Sequence, residues 1–323
     1  MSPPPAPLRL IDLAVEWPLQ YAGEATTIDL ADYPTVRDRL GQVDGYLSAT
    51  LAAVLWFGPA PGARSDPWAE VARLMTAIES EFPGRILADP ADLALFQAEP
   101  ADTLTWVVPG LRGGSKLLQA ADSRDRLAML LDRGVRAVRL AGLVDQPPSP
   151  AEDRELTELE RSALATLLTA ASSGRSLLLD LAGLPARASG EVLTALEQPT
   201  TSGRILPIVS LGGWRDGTIA GLLPEDLARL KALGGLVGLC PAQTFHPDGK
   251  ALAQPIEHDP AGWAIGTGFL GIAEPIEGLG NAPDVLDWLS CRFDPPTARM
   301  IASDQARVLI ERLIGPTSTP SSS

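Results

Sequence analysis

Residues Ser176–Leu181 read SLLLDL, and Ile205–Val209 read ILPIV. Both are short and almost continuously apolar, which is the pattern of strands covered on both faces. Working outward from them, comparable runs occur at Leu8–Val15, Tyr46–Phe57, Leu104–Val108, Val135–Leu140, Gly235–Cys240 and Trp263–Thr267, which makes eight. Longer segments lie between. Trp68–Phe82, Ser123–Arg133 and Glu152–Ala171 carry apolar residues at helical spacing. Pro224–Leu233 and Pro283–Cys291 each begin with a Pro suited to a first helical turn, and Ser303 is placed to cap a last helix over Asp304–Ile314, with Gly315 and Pro316 as its stop.

Strand–helix alternation of this kind predicts an α/β fold, and eight units predict a single closed (β/α)8 TIM barrel. A doubly wound open sheet is the alternative. Its dinucleotide-binding version is weakened because no Gly-x-Gly-x-x-Gly follows the first strand. The stretch Pro147–Asp153, PPSPAED, reads as a loop rather than a domain boundary. One barrel is therefore expected over residues 8–315, after a flexible start (1–7) and before a disordered tail (316–323, PTSTPSSS).

The chain has 323 residues, 45% hydrophobic and 20% charged, enough for a substantial core. Its formal net charge of −14 argues against a nucleic-acid partner, which needs clustered Lys and Arg. Two cysteines and two histidines imply no disulfide framework and leave too few donors for a Cys/His zinc site. No signal-peptide pattern opens the chain and no apolar run is long enough to span a bilayer, so no membrane span and a cytoplasmic location are expected.

In a parallel barrel the chemistry stands at the C-terminal strand ends. In order these read IDLAVEW, VLWFGP, VVPGLRGG, VRLAGL, LLLDLAG, IVSLGGW, VGLCPAQTF and AIGTGFLG. Together with VDGYLSATLAAVLWF (43–57) and GGLVGLCPAQTF (234–245), this series resembles the membrane (renal) dipeptidase family of zinc metallopeptidases, from about Leu8 to about Ile314. The resemblance implies a barrel of the metal-dependent-hydrolase (amidohydrolase) type, two zinc ions and dipeptide hydrolysis.

Position by position, however, the residues that the resemblance assigns to metal and catalysis are replaced. Ala14 stands for a His and Glu16 for an Asp on the first strand, and Arg112 stands for the metal-bridging Glu on the third. Gly142 takes the place of a substrate-contacting His, Gly183 and Leu211 of His ligands, and Gly268 and Leu270 of acids, the first of them the catalytic Asp. The flanking Asp12, Gly110, Gly113, Gly114, Asp180, Ser210, Gly266, Phe269 and Gly271 keep the pattern. A fixed guanidinium charge in place of a bridging carboxylate repels metal cations. The expectation is therefore a protein of this family type with no metal, no cofactor and no catalytic residue, in a non-catalytic ligand-binding or scaffold role. The alternative is a divergent but still active dipeptidase or other hydrolase.

The residues left at the mouth as binding candidates are Glu16, Arg112, Asp180, Trp214 and His246. Glu16 reads as a salt-bridge partner of Arg112 or as a surviving metal ligand. Arg112 either binds the carboxylate of a small acidic ligand or fills the emptied cavity. Asp12 and Asp180 read as framework hydrogen-bond acceptors. New hydrolase machinery would be built around Glu16, Arg112 and His246, with Asp248 a partner His246 could use, whereas His258 falls at the opposite end of the barrel. Cys240 reads as buried, and Trp214 and Trp263 as packing or pocket walls. In GLRGGSKLL (110–118), backbone N–H groups at a helix start could hold a small anion beside Arg112. The family's tendency to dimerise makes a homodimer the expected assembly, if any.

Overall fold

A computed structural model describes residues 8–16, 51–57, 67–98, 105–119, 122–142, 144, 147–149, 153–171, 175–198, 204–215, 218–268 and 274–315. The expected flexible start at 1–7 and disordered tail at 316–323 lie outside these residues. Eight parallel strands close into a barrel: β1 (Leu10–Glu16), β2 (Leu51–Phe57), β3 (Trp106–Leu111), β4 (Ala137–Arg139), β5 (Leu177–Asp180), β6 (Ile205–Gly212), β7 (Leu236–Leu239) and β8 (Trp263–Ile265). Around the ring the order is β1-β8-β7-β6-β5-β4-β3-β2. Every described residue of β3 to β8 is buried, as strands with the axis on one side and helices on the other must be. The open-sheet alternative is thereby excluded.

The helical layer comprises α1 (Pro67–Glu81), α2 (Pro90–Ala98), the single turn α3 (Gly114–Leu117), α4 (Ser123–Asp132), α5 (Glu158–Ala171), α6 (Ala186–Leu196), α7 (Pro224–Ala232), α8 (Gly249–His258), α9 (Ala282–Arg292), α10 (Pro295–Arg299) and α11 (Gln305–Ile314). Two helix starts differ from expectation. α5 begins at Glu158 rather than Glu152, because Thr157 and Glu160 form a capping box: Glu160 N–H donates to Thr157 Oγ1 at 3.2 Å and Thr157 N–H to the Glu160 carboxylate at 2.7 Å. Ser303 caps nothing. It sits inside a π-helical turn, Met300–Asp304, that runs α10 into α11, and its hydroxyl donates back to Arg299 O at 3.3 Å. The cap of that run is Asp294, which accepts from Thr297 N–H at 2.8 Å.

The barrel is pinched on one side. The β6–β7 register shifts between Val209 and Gly212, and the Ser210 carbonyl presses against the neighbouring strands. A Cβ on Gly238 would lie 2.4 Å from Ser210 O, and one on Gly266 would lie 1.8 Å from it. Only glycine fits at either position. Across the interior, Cα atoms of β1 and β6 come within 8 Å of each other although the strands are three places apart around the ring.

Candidate functional site at the barrel mouth

β1 carries Asp12 and Ala14 and ends at Glu16, and its pairing with β2 shifts register between Asp12 and Val15. Asp12 is fully buried. Its Oδ1 accepts from Ala14 N–H at 3.0 Å and Thr267 N–H at 2.9 Å, and its Oδ2 from the Thr267 hydroxyl at 2.6 Å. Gly268 N–H then donates to Ala14 O at 2.7 Å. The carboxylate thus stitches β1 to the turn leaving β8. Gly268, at φ 64°, adopts the left-handed conformation that this turn requires. Glu16 ends β1 beside Phe57. Its side chain, like residues 269–271, lies outside the described set, so its predicted pairing with Arg112 lies there too.

A second buried network joins the next strands. Arg139, at the end of β4, is fully buried and donates through Nε to Asp180 Oδ2 at 2.6 Å and through Nη2 to Ser210 Oγ at 2.8 Å. The Ser210 hydroxyl donates to the same Asp180 oxygen at 2.5 Å, and Ala182 and Ser210 N–H groups donate to Asp180 Oδ1 at 3.0 and 2.9 Å. Asp180 therefore accepts from three successive strand ends, those of β4, β5 and β6. Sequence reading missed Arg139. Its signal was a cation within an otherwise apolar, doubly covered strand, which demands a carboxylate from a neighbour.

Arg112 follows β3 and is 1% exposed. Its Nε and Nη2 make no hydrogen bond, while the side chain is engaged elsewhere. The turn it opens does not form the anion nest expected of GLRGGSKLL. Gly113 N–H donates to Ala141 O at 2.7 Å and Ser115 N–H to Leu140 O at 3.2 Å, so those donors are spent on pinning β3 to β4. Beyond that contact, a Cβ on Gly142 would meet no atom of the described residues within 4 Å.

His246 is fully buried, with Nδ1 placed 2.8 Å from Cys240 O and Nε2 accepting from Trp214 N–H at 3.0 Å. That geometry assigns the neutral tautomer, with Nδ1–H as donor, and ties both ring nitrogens to backbone. Asp248 is instead the N-cap of α8, accepting from Ala251 N–H at 2.8 Å. Cys240 is buried, and its thiol faces Thr267 O at 3.6 Å. The Trp214 indole packs edge-on against Trp263, with centroids 5.7 Å apart. Trp263 opens β8 at the foot of the barrel, where Lys231 lies over its ring. His258 ends α8 on that side.

A zinc pair needs imidazole and carboxylate donors converging from several strands. Ala14, Leu211 and Gly268 offer none, and Arg112 offers a cation. Gly183 is more than a missing donor. Its φ is +83°, and a Cβ there would lie 2.7 Å from Val144 Cγ2 and 3.1 Å from Ala141 Cβ, so a side chain has no place. Among the described residues, no three His, Cys, Asp or Glu side chains come together as a metal site. The described residues at these positions do not supply the donor set of a two-metal centre.

Neither a family model nor a curated protein sequence matches the chain. Solved structures do. A dipeptidase, described as a metallopeptidase of family M19, superposes with a TM-score of 0.67 at 17% identity, covering 96% of this chain and 99% of its own. An amidohydrolase from Pseudomonas aeruginosa gives 0.62 at 14% identity over 96% and 97%. The fold is that of the amidohydrolases. A 5-methylcytosine deaminase from Klebsiella pneumoniae shares it more distantly, with a TM-score of 0.51 at 13% identity over 94% of this chain and 75% of that one. Among the described residues of this amidohydrolase-type barrel, no helix is long and apolar enough to cross a membrane.

Proposed function

We propose that this barrel is a divergent relative of the membrane dipeptidases that holds no two-zinc centre and does not hydrolyse dipeptides, and that its mouth binds a small acidic ligand through Arg112. The observation that carries the reading is a permanently charged guanidinium, 1% exposed, at the end of β3. By the sequence resemblance this is the position of the metal-bridging carboxylate. A cation there opposes metal binding and favours an anion in the same space, since a guanidinium fork matches a carboxylate. That the titratable groups described at the mouth are held in hydrogen bonds supports the non-catalytic part. Asp12 and Asp180 are committed to three and four hydrogen bonds respectively, and both nitrogens of His246 are held by backbone.

The test combines turnover and binding. Purified protein is assayed on a panel of dipeptides with zinc added, and titrated calorimetrically with succinate as a small dicarboxylate probe. The reading expects no hydrolysis above the buffer rate, and binding that is lost in Arg112→Gln. Zinc-dependent turnover would establish the alternative of a divergent active dipeptidase. Succinate binding unchanged in Arg112→Gln would remove Arg112 from the ligand site.

A further inference from the structure

At the foot of the barrel, opposite the mouth, lies a cavity of about 470 Å³. That is within the usual size of a small-molecule site, roughly 300–1,000 Å³. Its walls come from residues just before β4 and β5, from the α2 start and from the end of α11. Leu131, Leu313 and Ile314 give it an apolar side and Arg136 and Arg175 its two cations, while Asp89 and Asp132 also stand in the wall.

Arg136 is the unusual member. It is half-buried, and its guanidinium is held by carbonyls alone: Nη1 donates to Leu131 O at 2.6 Å and Val135 O at 2.8 Å, and Nη2 to Ala88 O at 2.5 Å. Those bonds involve Nη1 and Nη2, and none of them uses Nε–H, a donor that can meet an oxyanion. None of the ion pairs among the described residues involves Arg136, whereas Arg175 is paired with Asp132. Burial pulls the pKa of Arg136 below its ordinary value, and the charge of Arg175 adds to this. Asp132, Asp89 and Asp92 offset it only in part. The nearest helix-start carboxylates are otherwise occupied: Asp89 accepts from Ala91 and Asp92 N–H, and Asp92 from Ala88 and Asp89 N–H.

We infer that this cavity is a binding site for a small organic oxyanion, a carboxylate or phosphate monoester with an apolar body, held by Arg136 with Arg175 beside it. The guanidinium takes the oxygens, and the leucine–isoleucine wall takes the body. The site is separate from the mouth and does not depend on Arg112.

Thermal unfolding in the presence of benzoate or phenyl phosphate tests it, with sodium chloride at equal ionic strength as the control. A saturable rise in Tm is expected with at least one probe, and which of them acts distinguishes carboxylate from phosphate recognition. Affinity should fall about tenfold in Arg175→Gln, whose side chain is 41% exposed. It should be lost in Arg136→Gln. If Arg136→Gln fails to fold, Arg175→Gln alone decides. The inference is overturned if neither probe gives a saturable shift, or if the shift persists undiminished in Arg175→Gln.

Discussion

Replacing Asp180 with Ala withdraws one carboxylate from four donors at once: Arg139 Nε, Ser210 Oγ, Ser210 N–H and Ala182 N–H. The Arg139–Asp180 pair is fully buried on both sides. Removing one member of such a pair leaves a buried charge short of its counter-ion, at a cost of about 3–5 kcal/mol. Two backbone N–H groups also lose their acceptor, so the upper part of that range is expected. The double variant Arg139→Met/Asp180→Leu removes the charge together with its partner. An apolar pair of similar volume is often neutral or stabilising by about 1–4 kcal/mol relative to a buried ion pair. Ser210 would then lack both side-chain partners, which costs about 1–3 kcal/mol. The double variant should therefore be more stable than Asp180→Ala by about 2 kcal/mol or more. Urea unfolding followed by circular dichroism and tryptophan fluorescence reads this, with coincident transitions and an unchanged m-value as conditions for comparison. A cost below about 1 kcal/mol for Asp180→Ala would refute the reasoning, because it would place the carboxylate in a solvated site. So would a double variant as unstable as the single.

Two further results follow from the same geometry. Gly183→His should destabilise by about 2 kcal/mol or more, since it forces a side chain into a left-handed φ of +83° against Val144; Gly142→His, with no described atom within 4 Å of the new Cβ, should cost under about 1 kcal/mol in the same assay. Glu160 gives a pH signature. Burial raises its pKa, but the hydrogen bonds from Arg154 and Thr157 outweigh that and leave it below the usual range. A depressed folded-state pKa contributes stability above the unfolded value of about 4.3 and loses it as pH falls through the folded value. The gap between wild type and Glu160→Gln should hold at pH 7, shrink as pH drops through the ordinary carboxylate range, and vanish below it. A gap independent of pH would show that the ion pair contributes nothing.

The strands were legible because burial on both faces leaves nearly unbroken apolar runs, as at Leu177–Asp180 and Ile205–Gly212. Their ends were less so: the first strand of the pinch, β6, runs past Val209 to Gly212 because Ser210 belongs to the interior network. The start of α5 was misplaced although Thr157 and Glu160 carry a capping-box spacing, since apolar periodicity says little about where a helix stops. At the mouth, the resemblance singled out Ala14, Arg112, Leu211 and Gly268 as standing where donors are expected. What each did in exchange could not be read that way. The left-handed strain at Gly183, the pairing of Arg139 with Asp180 and the use of both His246 nitrogens by backbone all arise from contacts between segments far apart in sequence. The Arg136 cavity is hidden for the same reason, since its walls come from four separate stretches of chain.

The central claim is that the mouth carries a cation where a metal pair would need a carboxylate. Elemental analysis of the protein, purified without chelator, loaded with excess zinc and then equilibrated against a chromophoric zinc chelator, tests this most directly. The account predicts far less than one zinc per chain in wild type, with no gain in thermal stability on loading. One or two zinc ions retained per chain, with turnover of a dipeptide abolished by a stronger chelator, would contradict it.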